Sequence, residues 1–181
     1  MSEPIFTIGH STRTFAAFAE LLRDGGVQLV VDVRKLPGST RYPQFDQDTL
    51  SAMLGDVGVG YQYALALTGR RTVSTEVPFE VNGWWTNRSF HNYADYAMSE
   101  EFRRALAELR EWGRTSRIAV MCSEAVWWRC HRRIIADHLL SHNETVRHII
   151  GPGHVDTAQL SAGAVIGPAD TVTYPAAGER P

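Results

Sequence analysis

The sequence predicts a single α/β domain built on a mostly parallel five-stranded sheet with helices on both faces. Short runs of apolar and β-branched residues alternate with segments in which apolar residues recur every three or four positions. Strands and helices that alternate in this way form parallel sheets, because each helix carries the chain back across one face of the sheet. A chain of 181 residues, 44% of them apolar, is long enough to bury such a core.

The first part of the chain predicts a strand, a helix and a second strand. Residues 4–8 form a short β-type run, and Phe18 and Leu22 then fall on one helical face. Gly25 ends that helix, because glycine adopts the backbone angles of a helix end without strain. Residues 27–33 are almost continuously apolar, which is typical of a strand covered on both faces. We therefore expect the second strand to lie inside the sheet.

A second helix and a third strand follow a loop that contains several prolines. Asp46 or Asp48 can cap a helix that ends near Val57, since a carboxylate accepts hydrogen bonds from the free amides of a first helical turn. Residues 61–65, which follow a glycine-rich turn, are predicted to form the third strand.

Residues 68–89 form a long connection without helical or strand periodicity. Connections of this length are usually lids, binding loops or disordered inserts. Trp84 and Trp85 favour a lid or a binding loop, because a disordered segment would leave a large apolar area in water.

The rest of the predicted domain holds two more helices and two more strands. A long amphipathic helix begins after Ser99, and residues 118–121 form a buried strand. A helix that ends near Leu140 and a fifth strand at residues 145–150 complete the alternation.

The C-terminal part of the chain changes in composition to Gly, Ala, Pro and Thr. Such a composition offers little apolar surface to bury. We therefore predict one domain over residues 1–160 and a loosely docked or disordered tail over residues 161–181.

Polar and titratable residues follow the predicted strands. The carboxyl ends of parallel strands meet at one edge of the sheet, where the amino ends of helices favour anions. The residues expected at this edge are His10 and Ser11 after the first strand, Asp32 and Arg34 after the second, Arg70 and Arg71 after the third, and Cys122, Glu124, Cys130, His131 and Arg132 around the fourth.

Cys122 is the candidate nucleophile of this set. A thiol at the end of a buried strand, facing a helix amino end and several arginines, is expected to have a lowered pKa. The alternative is that Cys122 packs as a small apolar residue. Cys130 has three interpretations: a packing residue at the helix start, a resolving thiol that forms a disulfide with Cys122, or a thiol in an anion site.

Glu124 and His131 are the candidate proton carriers. Glu124 is equally well explained by a structural ion pair with Arg129 or Arg132. Arg132 is suited to hold an oxyanion or a phosphate. The remaining candidates for substrate or anion binding are His10, Ser11, Asp32, Arg34, Arg70, Arg71 and Cys130.

Two known cysteine sites and a metal site can be compared with this pattern. A tyrosine-phosphatase loop needs Cys, five residues and then Arg, but Trp128 stands at that position, which disfavours this chemistry. A sulfur carrier of the rhodanese type often ends an early strand in Asp-Val-Arg, as residues 32–34 do, and this likeness is an analogy. A zinc or iron site on Cys122, Cys130, His131 and either His148 or His10 is a further alternative, but no Cys-x-x-Cys pair supports it, so no cofactor is expected.

The sequence resembles the family of the domain of unknown function DUF488. The resemblance covers residues 5–150 and implies a compact α/β domain in bacteria-like cytoplasmic proteins, with no activity attached. The loop at residues 125–129 departs from it, since an acidic residue and a proline are expected there, and the pocket is therefore expected to be more aromatic. The matching segments are Thr7-Ile8-Gly9-His10-Ser11, Val31-Asp32-Val33-Arg34, Pro37 with Ser39, Gly69-Arg70-Arg71, Tyr93-Ala94, Met121-Cys122-Ser123-Glu124 and Cys130-His131-Arg132.

Composition limits the partners. The 18 Lys and Arg against 20 Asp and Glu give a net charge of −2, so nucleic acid would need a local basic patch. The sequence contains no apolar run long enough for a membrane helix and too few cysteines for a disulfide scaffold, so we expect a cytoplasmic protein.

The sequence predicts a cysteine-dependent enzyme for a small anionic or nucleotide-like substrate. The alternative is a non-catalytic nucleic-acid or nucleotide-binding module that uses the arginines and aromatic residues, and a homodimer is allowed in either case.

Overall fold

The computed structural model describes residues 2–179 and is built on one six-stranded sheet. The spatial order of the strands is β3-β2-β4-β1-β5-β6. The pairs among the first five strands are parallel, and β6 runs antiparallel to β5. The strands of this sheet are β1 (Ile5–Gly9), β2 (Leu29–Asp32), β3 (Gly60–Tyr63), β4 (Ile118–Cys122), β5 (Val146–Gly151) and β6 (His154–Thr157). A separate antiparallel pair is formed by β7 (Val165–Ile166) and β8 (Val172–Thr173).

Five α-helices cover both faces of this sheet, which confirms the predicted α/β class. They are α1 (Phe15–Asp24), α2 (Gln47–Asp56), α3 (Arg88–Tyr96), α4 (Glu100–Thr115) and α5 (Arg132–Ser141). The apolar sides of α1 and α2 form one core cluster, and α3, α4 and α5 form the cluster on the opposite face. In the described part of the chain, none of the helices has the length and apolar character needed to cross a bilayer.

Strand β6 and helix α3 are absent from the sequence-based prediction. Strand β6 is four residues long and mostly exposed, and it pairs only with the sheet edge, so its sequence carries no apolar alternation. Helix α3 buries the polar residues His91, Asn92 and Asp95, so its buried face does not show the apolar spacing by which helices are recognised in a sequence. Its start is marked by Asn87, whose side chain accepts a hydrogen bond from the amide of Phe90.

Trp84 and Trp85 belong to the core and not to a lid. Trp85 is buried, and the two rings meet edge to face with centroids 4.8 Å apart. The ring of Tyr174 packs against Trp85, and a Cβ at Gly163 would approach the Trp84 ring to 2.1 Å. The tryptophan pair therefore joins the long connection to the C-terminal part of the chain.

Residues 161–174 pack more tightly than their composition indicates. Val172 and Tyr174 are fully buried, and the Tyr174 hydroxyl donates a 2.7 Å hydrogen bond to Asp137 of α5. The amide of Ser161 donates to the second oxygen of the same carboxylate at 2.9 Å. Two buried side chains and one buried carboxylate anchor the segment, and average composition does not reveal such isolated anchors. The expectation for the last two residues of the chain lies outside the described residues.

Candidate functional site

The carboxyl ends of β1, β2 and β4 open onto a cleft of about 530 Å³ next to the amino end of α5. This is the edge at which the sequence predicts the site. Of the predicted residues, those that line the cleft are His10, Ser11, Arg34, Arg70, Cys122, Glu124, Cys130 and His131.

Both cysteines meet at the base of the cleft. Cys122 is the last residue of β4, and Cys130 lies two residues before α5. Their Sγ atoms are 2.7 Å apart, both are free thiols, and their residues are only 4% and 6% exposed. The loop between them packs directly on β1, since a Cβ at Gly9 would lie 1.7 Å from the carbonyl oxygen of Glu124. Only glycine allows the loop to approach β1 this closely.

Arg132 lies beneath the cysteines as a fully buried cation. Its guanidinium donates hydrogen bonds to the Glu124 carbonyl at 2.6 Å and to the Thr7 hydroxyl at 3.2 Å. The Thr7 hydroxyl, which accepts from Arg132, also shares a 2.6 Å hydrogen bond with Nδ1 of His148. No carboxylate in the described part of the chain forms an ion pair with Arg132. A buried charge without a counterion is costly, and the groups that raise the pKa of Arg132 against its burial are the two thiols.

The two thiols differ in their tendency to ionise. Burial raises the pKa of Cys122 well above its usual value, and the adjacent Cys130 adds to this effect. Burial also opposes ionisation of Cys130, but the hydrogen bond with Cys122 and the nearby His131 and Arg132 together lower its pKa well below the usual value. The Arg132 amide, at the start of α5, donates to the Cys130 sulfur at 3.4 Å. The lowered pKa predicted for Cys122 therefore belongs to Cys130, because the helix amino end and the charged groups favour the second thiol.

His131 and Glu124 both line the cleft beside the thiols. Nδ1 of His131 lies 3.6 Å from the Cys130 sulfur, and its Nε2 atom is buried without a hydrogen-bond partner. Gly69 covers the ring so closely that a Cβ there would lie 2.8 Å from Nδ1. The Glu124 carboxylate accepts only a long hydrogen bond from the Val126 amide at 3.5 Å. The predicted structural ion pair with Arg129 or Arg132 is not formed, since Arg132 binds the main-chain oxygen of Glu124 instead.

Asp32 and Arg34 form a buried ion pair on the other side of the cleft. The guanidinium binds both carboxylate oxygens, with Nη2 at 2.8 Å and Nε at 2.9 Å. Tyr61 donates to the same carboxylate at 2.5 Å. Asp32 is fully buried and does not reach the cleft, so the structure places it behind Arg34 as an anchor and not on the predicted anion surface.

His10 is held as a neutral imidazole at the edge of the cleft. Burial lowers its pKa to about 4, and the charge of Arg34 acts in the same direction. Nδ1 donates to the Ser11 carbonyl at 2.8 Å, which leaves Nε2 to accept from Arg34 at 3.3 Å. The ring stacks on Phe45 with centroids 4.2 Å apart. His10 therefore supports Arg34 from the side.

The rim of the cleft carries free positive charges. Lys35, Arg70 and Arg129 are exposed, line the cleft and take part in no ion pair in the described part of the chain. Lys35 was missed in the sequence, although it directly follows Arg34. Arg71 does not line the cleft: its guanidinium lies 3.7 Å from the Tyr96 ring centroid and donates to the Thr68 carbonyl at 3.0 Å.

Two cleft loops contain backbone conformations that are unusual for their residues. Ser11 has a φ of 52° and Arg70 a φ of 57°. These angles lie in the left-handed region, which residues other than glycine seldom adopt. Both residues line the cleft, one from the loop after β1 and the other from the long connection. Strain of this kind gathers at functional sites, although no sequence signal marked it here.

A cluster of metal-ligating side chains is absent from the described part of the chain. Among residues 2–179, no three or more His, Cys, Asp or Glu side chains are grouped so that they could hold a metal ion. His148, one of the ligands considered from the sequence, instead stacks on Trp127 with ring centroids 4.5 Å apart.

Comparison with curated proteins and with solved structures gave no match. A family model described as domain of unknown function DUF488 matches residues 14–139. The match spans Asp32, Arg34, both cysteines and Arg132, and it begins after His10 and Ser11. The predicted resemblance is therefore confirmed, and the chain belongs to the DUF488 family.

Proposed function

We propose that the protein is a cytoplasmic cysteine-dependent enzyme that acts on a small anionic substrate, with Cys130 as the attacking thiolate. The buried Arg132 carries this proposal, since its charge has no carboxylate partner in the described part of the chain. A thiolate on Cys130 supplies the missing negative charge and is also the reactive form of a cysteine. Two free, adjacent thiols fit a reducing compartment.

The charges at the rim support an anionic substrate. Lys35, Arg70 and Arg129 surround the opening, whereas Glu124 is the only acidic residue among those that line the cleft. Arginine side chains bind carboxylate and phosphate groups in a planar, bidentate manner. The rings of Tyr42 and Phe90, which also line the cleft, suit a substrate with a planar ring such as a nucleotide.

His131 and Glu124 are the proton carriers of the proposed reaction. Nδ1 of His131, 3.6 Å from the Cys130 sulfur, is the ring atom placed to exchange a proton with the thiol, while the buried Nε2 has no hydrogen-bond partner. Arg132 acts from below as the electrostatic partner of the thiolate, and the rim cations hold the substrate above it.

Alkylation with two reagents tests both parts of this proposal. Iodoacetamide and iodoacetate modify the same thiolate, but only iodoacetate is an anion. We expect Cys130 to react with iodoacetamide below pH 7 far faster than a free cysteine peptide, because the thiolate is already formed. We also expect the rate ratio of iodoacetate to iodoacetamide to exceed that of the peptide by about tenfold, since the rim concentrates anions.

Matched variants identify the source of any preference. Changing Arg70→Gln and Arg129→Gln together is expected to remove the preference for iodoacetate and leave the iodoacetamide rate unchanged. Arg104→Gln removes the same kind of charge from the exposed surface of α4 and is expected to change neither rate. Inorganic phosphate or a nucleoside monophosphate should protect Cys130 in the unmodified protein. A Cys130 that reacts no faster than the peptide at neutral pH would refute the proposal.

The second candidate is a non-catalytic module that binds nucleotide or nucleic acid. Its support is the exposed Trp128 beside Arg129, together with the guanidinium of Arg41, which lies 5.5 Å from the Tyr42 ring centroid. Such binding should weaken steeply with added salt and should persist in Cys130→Ser. An enzyme instead loses turnover in that variant.

A further inference from the structure

We propose that the cysteine pair acts as a two-electron dithiol that reduces small anionic disulfides, with Cys130 attacking and Cys122 resolving. This inference rests on the proposed function and names its substrate class. An enzyme that uses one thiol has no need of a second thiol in contact with the first. Here the two sulfurs are 2.7 Å apart and share one cleft, so closing a bond between them requires only a small movement.

The surroundings of the pair assign the order of attack. The Cys130 sulfur receives the Arg132 amide at 3.4 Å and lies near Nδ1 of His131, so the negative charge is stabilised on Cys130. Cys122 ends a central strand, and its S–H group donates a hydrogen bond to the Cys130 sulfur 2.7 Å away. Cys122 is therefore the protonated partner that waits for the second step.

The first step loads the substrate onto Cys130. The Cys130 thiolate attacks one sulfur of a disulfide R–S–S–R′, a new S–S bond joins Cys130 to R–S, and R′–S⁻ leaves. The rim cations Arg70 and Arg129 hold the anionic groups of the substrate during this exchange.

Loading of Cys130 prepares the second step. Cys130 carries no charge in the mixed disulfide, so Arg132 loses its counterion. The negative charge that raised the pKa of Cys122 is also removed, so Cys122 ionises more readily. The Cys122 proton passes to R′–S⁻, and the new thiolate attacks the Cys130 sulfur and expels R–S⁻. The sum converts one thiol, one thiolate and R–S–S–R′ into the Cys122–Cys130 disulfide, R–S⁻ and R′–SH, with two electrons moved to the substrate. A separate dithiol reductant restores the pair by the same exchange.

The dianionic disulfide 5,5′-dithiobis(2-nitrobenzoate) tests this order directly, because each exchange releases one coloured thionitrobenzoate. The reduced protein should release about two equivalents per chain, lose two hydrogens in mass and keep no adduct. Cys122→Ser should release about one equivalent and keep one adduct on Cys130. Cys130→Ser should react slowly at Cys122, because the remaining thiol stays protonated and buried.

The reagent charge provides the control for substrate class. The uncharged 4,4′-dithiodipyridine should give the same stoichiometry, but its rate should not depend on Arg70 and Arg129. Arg104→Gln should behave as the unchanged protein with both reagents. If the protein stops at one equivalent with an adduct on Cys130, the dithiol inference fails and the proposed nucleophile stands. If Cys130 reacts with neither disulfide nor iodoacetamide, the proposed function fails as well. A stable adduct on Cys122 would reverse the assigned roles and overturn the inference.

Discussion

Replacing Arg132 by methionine removes the positive charge that the structure places beneath the thiols. Methionine fills much of the same volume, and the main-chain amide that donates to Cys130 at 3.4 Å remains. Against the effect of burial, the two thiols raise the pKa of Arg132 through charge and side-chain hydrogen bonds, so the guanidinium acts on them directly. For two unit charges at a separation of about 4 Å and an effective dielectric constant of about 20, the interaction is about 4 kcal/mol, or about three pKa units. Allowing for relaxation, we expect the pKa of Cys130 to rise by about two units in Arg132→Met.

The assay is the pH dependence of iodoacetamide alkylation, followed by mass spectrometry at Cys130. The midpoint of the rate profile should move to higher pH by about two units, and the rate at a pH below both midpoints should fall by about a hundredfold. Arg132→Lys keeps the charge and should retain most of the low-pH reactivity. Circular dichroism and urea unfolding establish that each variant folds. If Arg132→Met folds and its profile superimposes on that of the unchanged protein, the counterion argument is wrong.

Two further predictions concern stability. Asp32→Asn leaves the Arg34 guanidinium buried without its carboxylate, so urea unfolding should show a free energy of unfolding lower by about 3 kcal/mol. The control Asp48→Asn replaces an exposed carboxylate and should change the free energy of unfolding by less than about 0.5 kcal/mol. Burial lowers the pKa of His138 to about 3, so the unfolded chain takes up the proton below pH 6.5 and the folded chain does not, and stability falls as the pH falls from 6.5 towards 3. Between pH 7 and pH 5 this histidine should account for a loss of about 2 kcal/mol in the free energy of unfolding. His138→Leu should abolish this contribution. If the free energy of unfolding of that variant falls with pH as steeply as that of the unchanged protein, the assignment to His138 is wrong.

The fold and the place of the site could be predicted because both depend on local patterns. Residues 27–33 and 118–121 are predicted to be buried strands, and the structure has β2 within the first range and β4 over the second range and one further residue. The polar residues that follow them then meet at one edge for reasons of topology alone. Eight of the eleven predicted site residues line the cleft, and Arg132 lies directly beneath it.

The errors concern the direction and burial of individual side chains. Arg71 folds onto Tyr96 and Asp32 turns inward to Arg34, and no spacing rule distinguishes these arrangements from side chains that face a cleft. The ionised thiol was assigned to Cys122, because the sequence does not show that the amide at the start of α5 points at Cys130. The contact of Arg71 with Tyr96 joins segments that are far apart in sequence, and the Asp32–Arg34 pair depends on side-chain direction within one short segment. The assignment of the thiolate depends on the exact position of a helix start.

The anchoring of Tyr174 on Asp137 determines where the chain can be shortened. Composition suggests an end at residue 160, but a chain cut there would lose the ring that packs against Trp85 and the hydroxyl that satisfies a buried carboxylate. Asp137 lies in α5, the helix that begins at Arg132. Removing the hydrogen bond from Tyr174 would therefore destabilise the helix whose first amide contacts the Cys130 sulfur. Shortened versions intended for biochemical work should therefore retain Tyr174, and an affinity tag at that terminus is best placed beyond it.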